Sequence, residues 1–168
     1  MRHLHWFRTD LRLNDNPALA SHAAAESLLC LYLMPKPKPW CNLTGIGEQR
    51  DRFLRESLIE LKQDLQDLGQ DLLVLEGSPE LVIPHLVERY GITEISVSDH
   101  PGWEEKQSLS YLAGKLSIPI QIHRGNSLFT EADLPMELED FPKVFSPFRR
   151  KAEKLNVRGP KAAPEQLP

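Results

Sequence analysis

Apolar positions along the chain fall into five short blocks separated by stretches of helical period. His3-Leu4-His5-Trp6-Phe7-Arg8 is bulky and bounded by a polar turn, which suits a central strand better than a surface one. Ser27-Leu28-Leu29-Cys30-Leu31-Tyr32-Leu33-Met34 is almost continuously apolar, as a parallel strand covered on both faces should be. Three further strand blocks lie at 71–76, 94–98 and 119–123. Asn16-Pro17 reads as a helix start, Asn as N-cap and Pro at the first helical position, and the alanines of 18–25 favour the helix that follows. Leu54, Leu58, Leu61, Leu65 and Leu68 recur at steps of four and three and mark the clearest helix, ended by Gly69. Ser78-Pro79-Glu80 opens another that runs to Tyr90-Gly91 with Pro84 bending its first turns, and Leu109, Leu112 and Leu116 line the next. Five strands alternating with helices predict an α/β fold: a doubly wound five-stranded parallel sheet of order 3-2-1-4-5, Rossmann-like, with helices on both faces and the opening strand central.

Beyond Arg124 the rhythm stops. An acidic loop spans 131–142, and 144–154 reads as a last helix capped by Ser146 with Pro147 at its first position. From Asn156 onward Pro160, Pro164 and Pro168 make an extended segment with little to bury, so the expected organisation is one domain over 1–155 and a linker over 156–168. Pro35, Pro37 and Pro39 place a long loop ahead of the leucine-rich helix. The chain has 168 residues, 40% hydrophobic and 26% charged, ordinary for one soluble domain. With no apolar run of signal-peptide or membrane-span length, the expected compartment is the cytoplasm, where Asn42-Leu43-Thr44 is an idle glycosylation pattern. Cys30 and Cys41 have no metal or disulfide spacing and read as free thiols. Charge is uneven: residues 143–168 carry +5 and the rest −9, together the net −4. A nucleic-acid module shows a basic face on its body, and this body is acidic, which argues against DNA as a direct partner.

No glycine-rich dinucleotide fingerprint, phosphate loop or metal-spaced His/Cys cluster is present. His3 and His5 share a strand face, and each is expected to find an ordinary hydrogen bond. In a doubly wound sheet the ligand crevice lies at the carboxyl ends of the strands where their order reverses, here between strands one and four. The loop after strand one supplies Arg8, Asp10, Arg12, Asp15 and Asn16; the loop after strand four supplies Asp99, His100, Trp103, Glu104 and Glu105; Thr44-Gly45-Ile46-Gly47 closes one side. Such charged loops suit a small polar ligand with an aromatic ring. Arg8, Asp10 and Arg12 alternate in sign and are expected to satisfy one another as an ion network.

The opening Trp6-Phe7-Arg8-x-Asp10-Leu11-Arg12-Leu13-x-Asp15-Asn16-Pro17-Ala18-Leu19 resembles the start of DNA photolyases and cryptochromes. Arg52-Phe53-Leu54-x-Glu56-Ser57-Leu58-x-x-Leu61 and Leu72-Leu73-Val74-x-x-Gly77-x-Pro79 are similar to the family's second helix and third strand. Asp133-Leu134-Pro135 with Asp140-Phe141-Pro142-x-Val144-Phe145-Ser146-Pro147-Phe148-Arg149-Arg150 resembles the cryptochrome-DASH branch. The resemblance implies the N-terminal α/β domain, which in the family seats an antenna pigment, usually methenyltetrahydrofolate in the folate branch. It further implies that FAD, the electron-relay tryptophans and the lesion pocket belong to a C-terminal helical domain lying beyond this sequence. These residues alone would then not perform the family's photo-lyase reaction. The folate-contacting acid corresponds to Glu104 or Glu105, with Glu105 preferred; equally, Glu105 is a helix-start acid favoured by the dipole. Together with the crevice loops, the expected cofactor-binding set is Glu105, Glu104, Asp99, His100, Trp103, Arg8 and Gly45. The expected partners are the FAD-binding domain, or a second copy of the chain through Trp40, Trp103, Phe145 and Phe148, with DNA met only indirectly. The competing reading is a stand-alone adenine-nucleotide-binding or interaction module of the same fold.

Overall fold

The computed structural model describes residues 1–22, 24–35 and 45–168. Five strands, β1 (Arg2–Phe7), β2 (Ser27–Met34), β3 (Leu72–Glu76), β4 (Glu94–Ser98) and β5 (Ile120–His123), form one parallel sheet of order β3-β2-β1-β4-β5. Helices α1 (Pro17–Ala20), α2 (Glu48–Asp67), α3 (Pro79–Tyr90), α4 (Trp103–Lys115) and α5 (Phe145–Ala152) accompany it, with single 3₁₀ turns at Glu131–Asp133 and Leu138–Asp140 in the acidic loop. Alternation along the central strand separates two layers. Leu4 and Trp6 join Leu31, Leu33, Ile95 and Val97 beneath Ile83 and Leu86 of α3 and Leu109 and Leu112 of α4. Phe7 joins Leu28, Cys30 and Tyr32 beneath Leu19 and the α2 stripe Leu58, Leu61 and Leu65. Burial pushes the Cys30 thiol up to about 12, which leaves it an inert packing group. Cys41 and most of the proline-rich loop, with Trp40 and Thr44, lie outside the described residues.

Three elements depart from the sequence expectation, each for a local reason. The first helix stops after four residues although alanines continue. The carbonyl of Ala18 is occupied by the hydroxyls of Ser21 (2.7 Å) and Ser96 (2.9 Å), so the His22 N–H turns to Leu19 O instead. The last helix begins at Phe145 with Val144 as its cap, which moves Ser146 and Pro147 into the first turn; proline is tolerated there because those N–H groups have no intrahelical acceptor. The segment beyond Asn156 does not run free. It crosses the β1–α1 loop, where Lys161 O accepts from Asp15 N (2.8 Å), Arg158 pairs with the Asp15 carboxylate (2.7 Å) and Ala163 N donates to Asn14 Oδ1 (3.1 Å), then inserts Leu167 into the α2 layer at 4% exposure.

Candidate functional site

The carboxyl ends of β1, β2 and β3 and the first turns of α3 and α4 enclose a cleft of about 510 Å³. Its floor and walls include Trp6, Tyr32 and Met34 from the strands, Arg8 and Thr9 after β1, Gly77 to Glu80 after β3, and His100, Glu104, Glu105 and Ser108 after β4. Gly77 makes the sharp entry into α3 at φ +148°, and a Cβ there would meet Val82 Cγ2 at 2.5 Å, so the turn accepts only glycine without rearrangement. Neither Ser78 nor Gly102, the residues that cap α3 and α4, closes its helix start with a side-chain hydrogen bond. Ser108 Oγ donates to Glu80 Oε1 at 2.6 Å and ties α4 to α3 at the rim.

Arg8 is the unusual group. Its guanidinium lies 5.2 Å over the Trp6 ring, a cation–π contact, while Nη1 and Nη2 are buried and find no hydrogen-bond partner among the described residues. Burial lowers its pKa, opposed by the negative charges of Glu105, Asp10 and Asp99. The expected ion network of Arg8, Asp10 and Arg12 is therefore corrected. The Asp10 carboxylate, 1% exposed, instead accepts from Arg8 N (3.0 Å), Ser98 Oγ (2.5 Å) and Asn16 Nδ2 (3.3 Å). Asn16 Oδ1 in turn caps α1 by accepting from Leu19 N. Arg12 is spent on the carbonyls of Asp15 and Gly125. Two arginines and an aspartate adjacent in sequence thus serve three different purposes, because backbone and hydroxyl donors reach Asp10 before either guanidinium does.

Glu105, half-exposed, is the third residue of α4, and its carboxylate folds back over Gly102, where a Cβ would collide with Oε2. His100 Nδ1 accepts from Gly102 N at 3.0 Å, so its proton sits on Nε2 and the 3.5 Å approach of Glu105 Oε2 to Nδ1 is not an ion pair in that tautomer. Of the seven candidate residues, Arg8, His100, Glu104 and Glu105 line the cleft together. Asp99 turns away to accept from Gly125 N (3.3 Å), its carbonyl taking Asn126 Nδ2. Trp103 stands 73% exposed, and Gly45 is not among the cleft residues. The contribution of Gly77, Ser78 and Glu80 is not apparent from the sequence, where the turn reads only as a helix start; strand order 3-2-1 carries it to the same end of the sheet as Arg8. Among the described residues no group of three or more His, Cys, Asp or Glu is placed to hold a metal ion, and no helix is long and apolar enough to cross a membrane.

The family model for DNA photolyase matches residues 3–167. A cryptochrome DASH of Idiomarina loihiensis is 36% identical over 155 residues, covering 89% of this chain and 34% of that protein. A cryptochrome DASH of Natronomonas pharaonis is 34% identical over 171 residues, covering 97% of this chain and 36% of that protein. The solved cryptochrome of Synechocystis sp. PCC6803 superposes with a TM-score of 0.91 at 30% identity, over 99% of this chain and 36% of that one. The chain thus spans about a third of the length of the relatives it matches. Its sheet order, opening motif and these matches agree: the chain belongs to the DNA photolyase and cryptochrome family, as an N-terminal α/β domain similar to that of cryptochrome DASH.

Proposed function

We propose that the cleft at the strand ends seats an antenna pigment, with methenyltetrahydrofolate as the ligand its chemistry suits best. The observation that carries this reading is the buried Arg8 guanidinium, held in the cleft wall by Asp10 acting through the backbone, stacked on Trp6, and with Nη1 and Nη2 lacking a hydrogen-bond partner among the described residues. A pterin presents adjacent N–H donors that the Glu105 carboxylate can accept, and its conjugated carbonyl is an acceptor for Arg8. When bound, such a pigment collects light and passes the excitation to FAD, which in the family lies in the helical domain. On this reading the 168 residues contribute light collection rather than repair, and Trp103 and Phe145, 73% and 69% exposed, belong to the surface against which that helical domain, or a second copy of the chain, would sit.

One observation favours the adenine-nucleotide reading: α3 and α4 both begin at the cleft without a side-chain cap, and helix starts of this kind accept phosphate. Spectroscopic titration of the protein with methenyltetrahydrofolate separates the two. Binding is expected to be measurable but weak, with Glu105→Gln and Arg8→Ala each weakening it roughly 10-fold, the worth of one charge-assisted hydrogen bond. Unchanged affinity in both variants removes the assignment, and tight ATP binding in its place establishes the nucleotide module.

A further inference from the structure

The face of β1 opposite Trp6 is not apolar along its length. Phe7 is followed towards the start of the strand by His5 and His3; Glu94 and Ser96 on β4 lie opposite His3 and His5, and Gln121 and His123 on β5 lie opposite Ser96 and Ser98. Among the described residues α1, with Leu19, and His22 in the turn after it lie over this patch. The result is a layer of four imidazoles. His5 packs edge-on against Phe7 (ring centroids 4.2 Å apart, interplanar angle 86°) and lies 5.5 Å from the His22 ring, and His22 lies 5.3 Å from the His3 ring. His3 Nδ1 and His22 Nδ1 are 3.1 Å apart, so one ring must donate and the other accept. A proton added at that contact would set N–H against N–H. Both nitrogens of His5, at 0% exposure, and Nε2 of His3, His22 and His123 have no hydrogen-bond partner among the described residues. An imidazolium at His5 would therefore be a buried cation without an acceptor among the described residues, and one at His3 would have only Glu94 at 4.0 Å.

We propose that the imidazole layer is an acid-sensitive latch: proton uptake by it releases α1 from the sheet and, with α1, the loop that holds Arg8 in the cleft. The mechanical link is Asn16, which caps α1 and donates to the Asp10 carboxylate that fixes the Arg8 backbone. Few charges face the layer. Glu94 on β4 is 4.0 Å from His3 Nδ1, Lys161 of the docked tail acts on His123, and Glu26 beyond the turn is engaged by the N-terminal ammonium at 2.6 Å. Burial, reinforced by His123, lowers the pKa of His5 to about 3, and burial with the neighbouring imidazoles lowers that of His22 to about 3. Desolvation, then the Lys161 charge, lowers that of His123, with Glu94 opposing. The sign follows. A folded-state pKa below the ordinary 6.5 means that the stabilisation is whole above pH 6.5 and is lost progressively as pH falls from there towards 3. The latch depends on this packing alone, whatever the cleft binds.

Amide hydrogen exchange read by mass spectrometry, normalised for intrinsic chemical rates, tests it. From about pH 6.5 to about pH 5.5 the opening constant of peptides covering 8–26 is expected to rise by about 10-fold or more, one proton or more per opening, while peptides of α3 and α4 change by less than about 3-fold. His5→Leu, which exchanges an imidazole with no hydrogen-bond partner among the described residues for an apolar group of similar size, is expected to make that dependence shallower, with the shares of His22 and His123 remaining. Should the variant fail to fold, the wild-type slope decides alone. An opening constant for 8–26 that is independent of pH, or α1 opening only together with α3 and α4, overturns the latch.

Discussion

Asp10→Ala is expected to lower the unfolding free energy by about 3–5 kcal/mol, the largest effect of any single polar substitution in the domain. The carboxylate is buried at the junction of β1, β4 and α1 and accepts from a backbone N–H, a serine hydroxyl and an asparagine amide. Its removal strands the Arg8 N–H and the buried Ser98 hydroxyl, while the Asn16 amide keeps the Arg12 carbonyl at 3.1 Å, and it leaves the buried Arg8 guanidinium without one of its compensating charges. Asp10→Asn keeps the shape and some acceptor capacity but turns an amide donor towards one of these donors, and is expected to cost about half as much. Urea denaturation followed by circular dichroism measures both. A loss below about 1 kcal/mol for the alanine variant would show that water replaces the carboxylate and that the loop does not depend on it.

Leu167→Asp is expected to undock the C-terminal segment. The leucine lies among Leu28, Leu58, Leu61, Leu65 and Leu72, where a carboxylate cannot be solvated, so the tail must leave rather than bury the charge. The stability lost is then what the leucine contributes by burial, about 2 kcal/mol. Because the same segment holds the Asp15 backbone N–H and carboxylate, and Asp15 sits at φ +50°, an uncommon value for a residue other than glycine, the β1–α1 loop should loosen as well. Limited proteolysis reads the change as rapid cleavage within 156–168 in the variant and protection in the wild type. Equal protection and equal stability would mean that the tail contributes nothing in solution.

What the sequence reveals and what it hides divide along a physical line. The Asn16-Pro17 helix start and the buried leucines of α2 follow from local period and capping chemistry, the sheet order from the alternation of strands with helices, and each is present. The early end of α1 is not legible, because the hydroxyl that takes the Ala18 carbonyl alongside Ser21 belongs to Ser96, 78 residues away in sequence. The docking of Leu167 is hidden for the same reason: a proline-rich segment looks unpartnered until its tertiary contacts are known. In the candidate site, the two adjacent loops that meet at the cleft could be inferred from topology. That Asp10 prefers backbone and hydroxyl donors to Arg8 and Arg12, and that Arg8 is thereby left facing the cleft, depends on geometry that alternating charges cannot encode.

Two-dimensional amide NMR of the labelled protein, titrated with methenyltetrahydrofolate, is the most direct measurement of whether the cleft is the pigment seat. The expected result is a set of shifts confined to the amides of Arg8, Thr9, Gly77, Ser78, Gly102, Glu104 and Glu105 and the Trp6 indole, with the α2 stripe and the docked tail undisturbed. Shifts centred instead on the surface between Arg12 and Arg158, or a spectrum that does not change at saturating pigment, would contradict it.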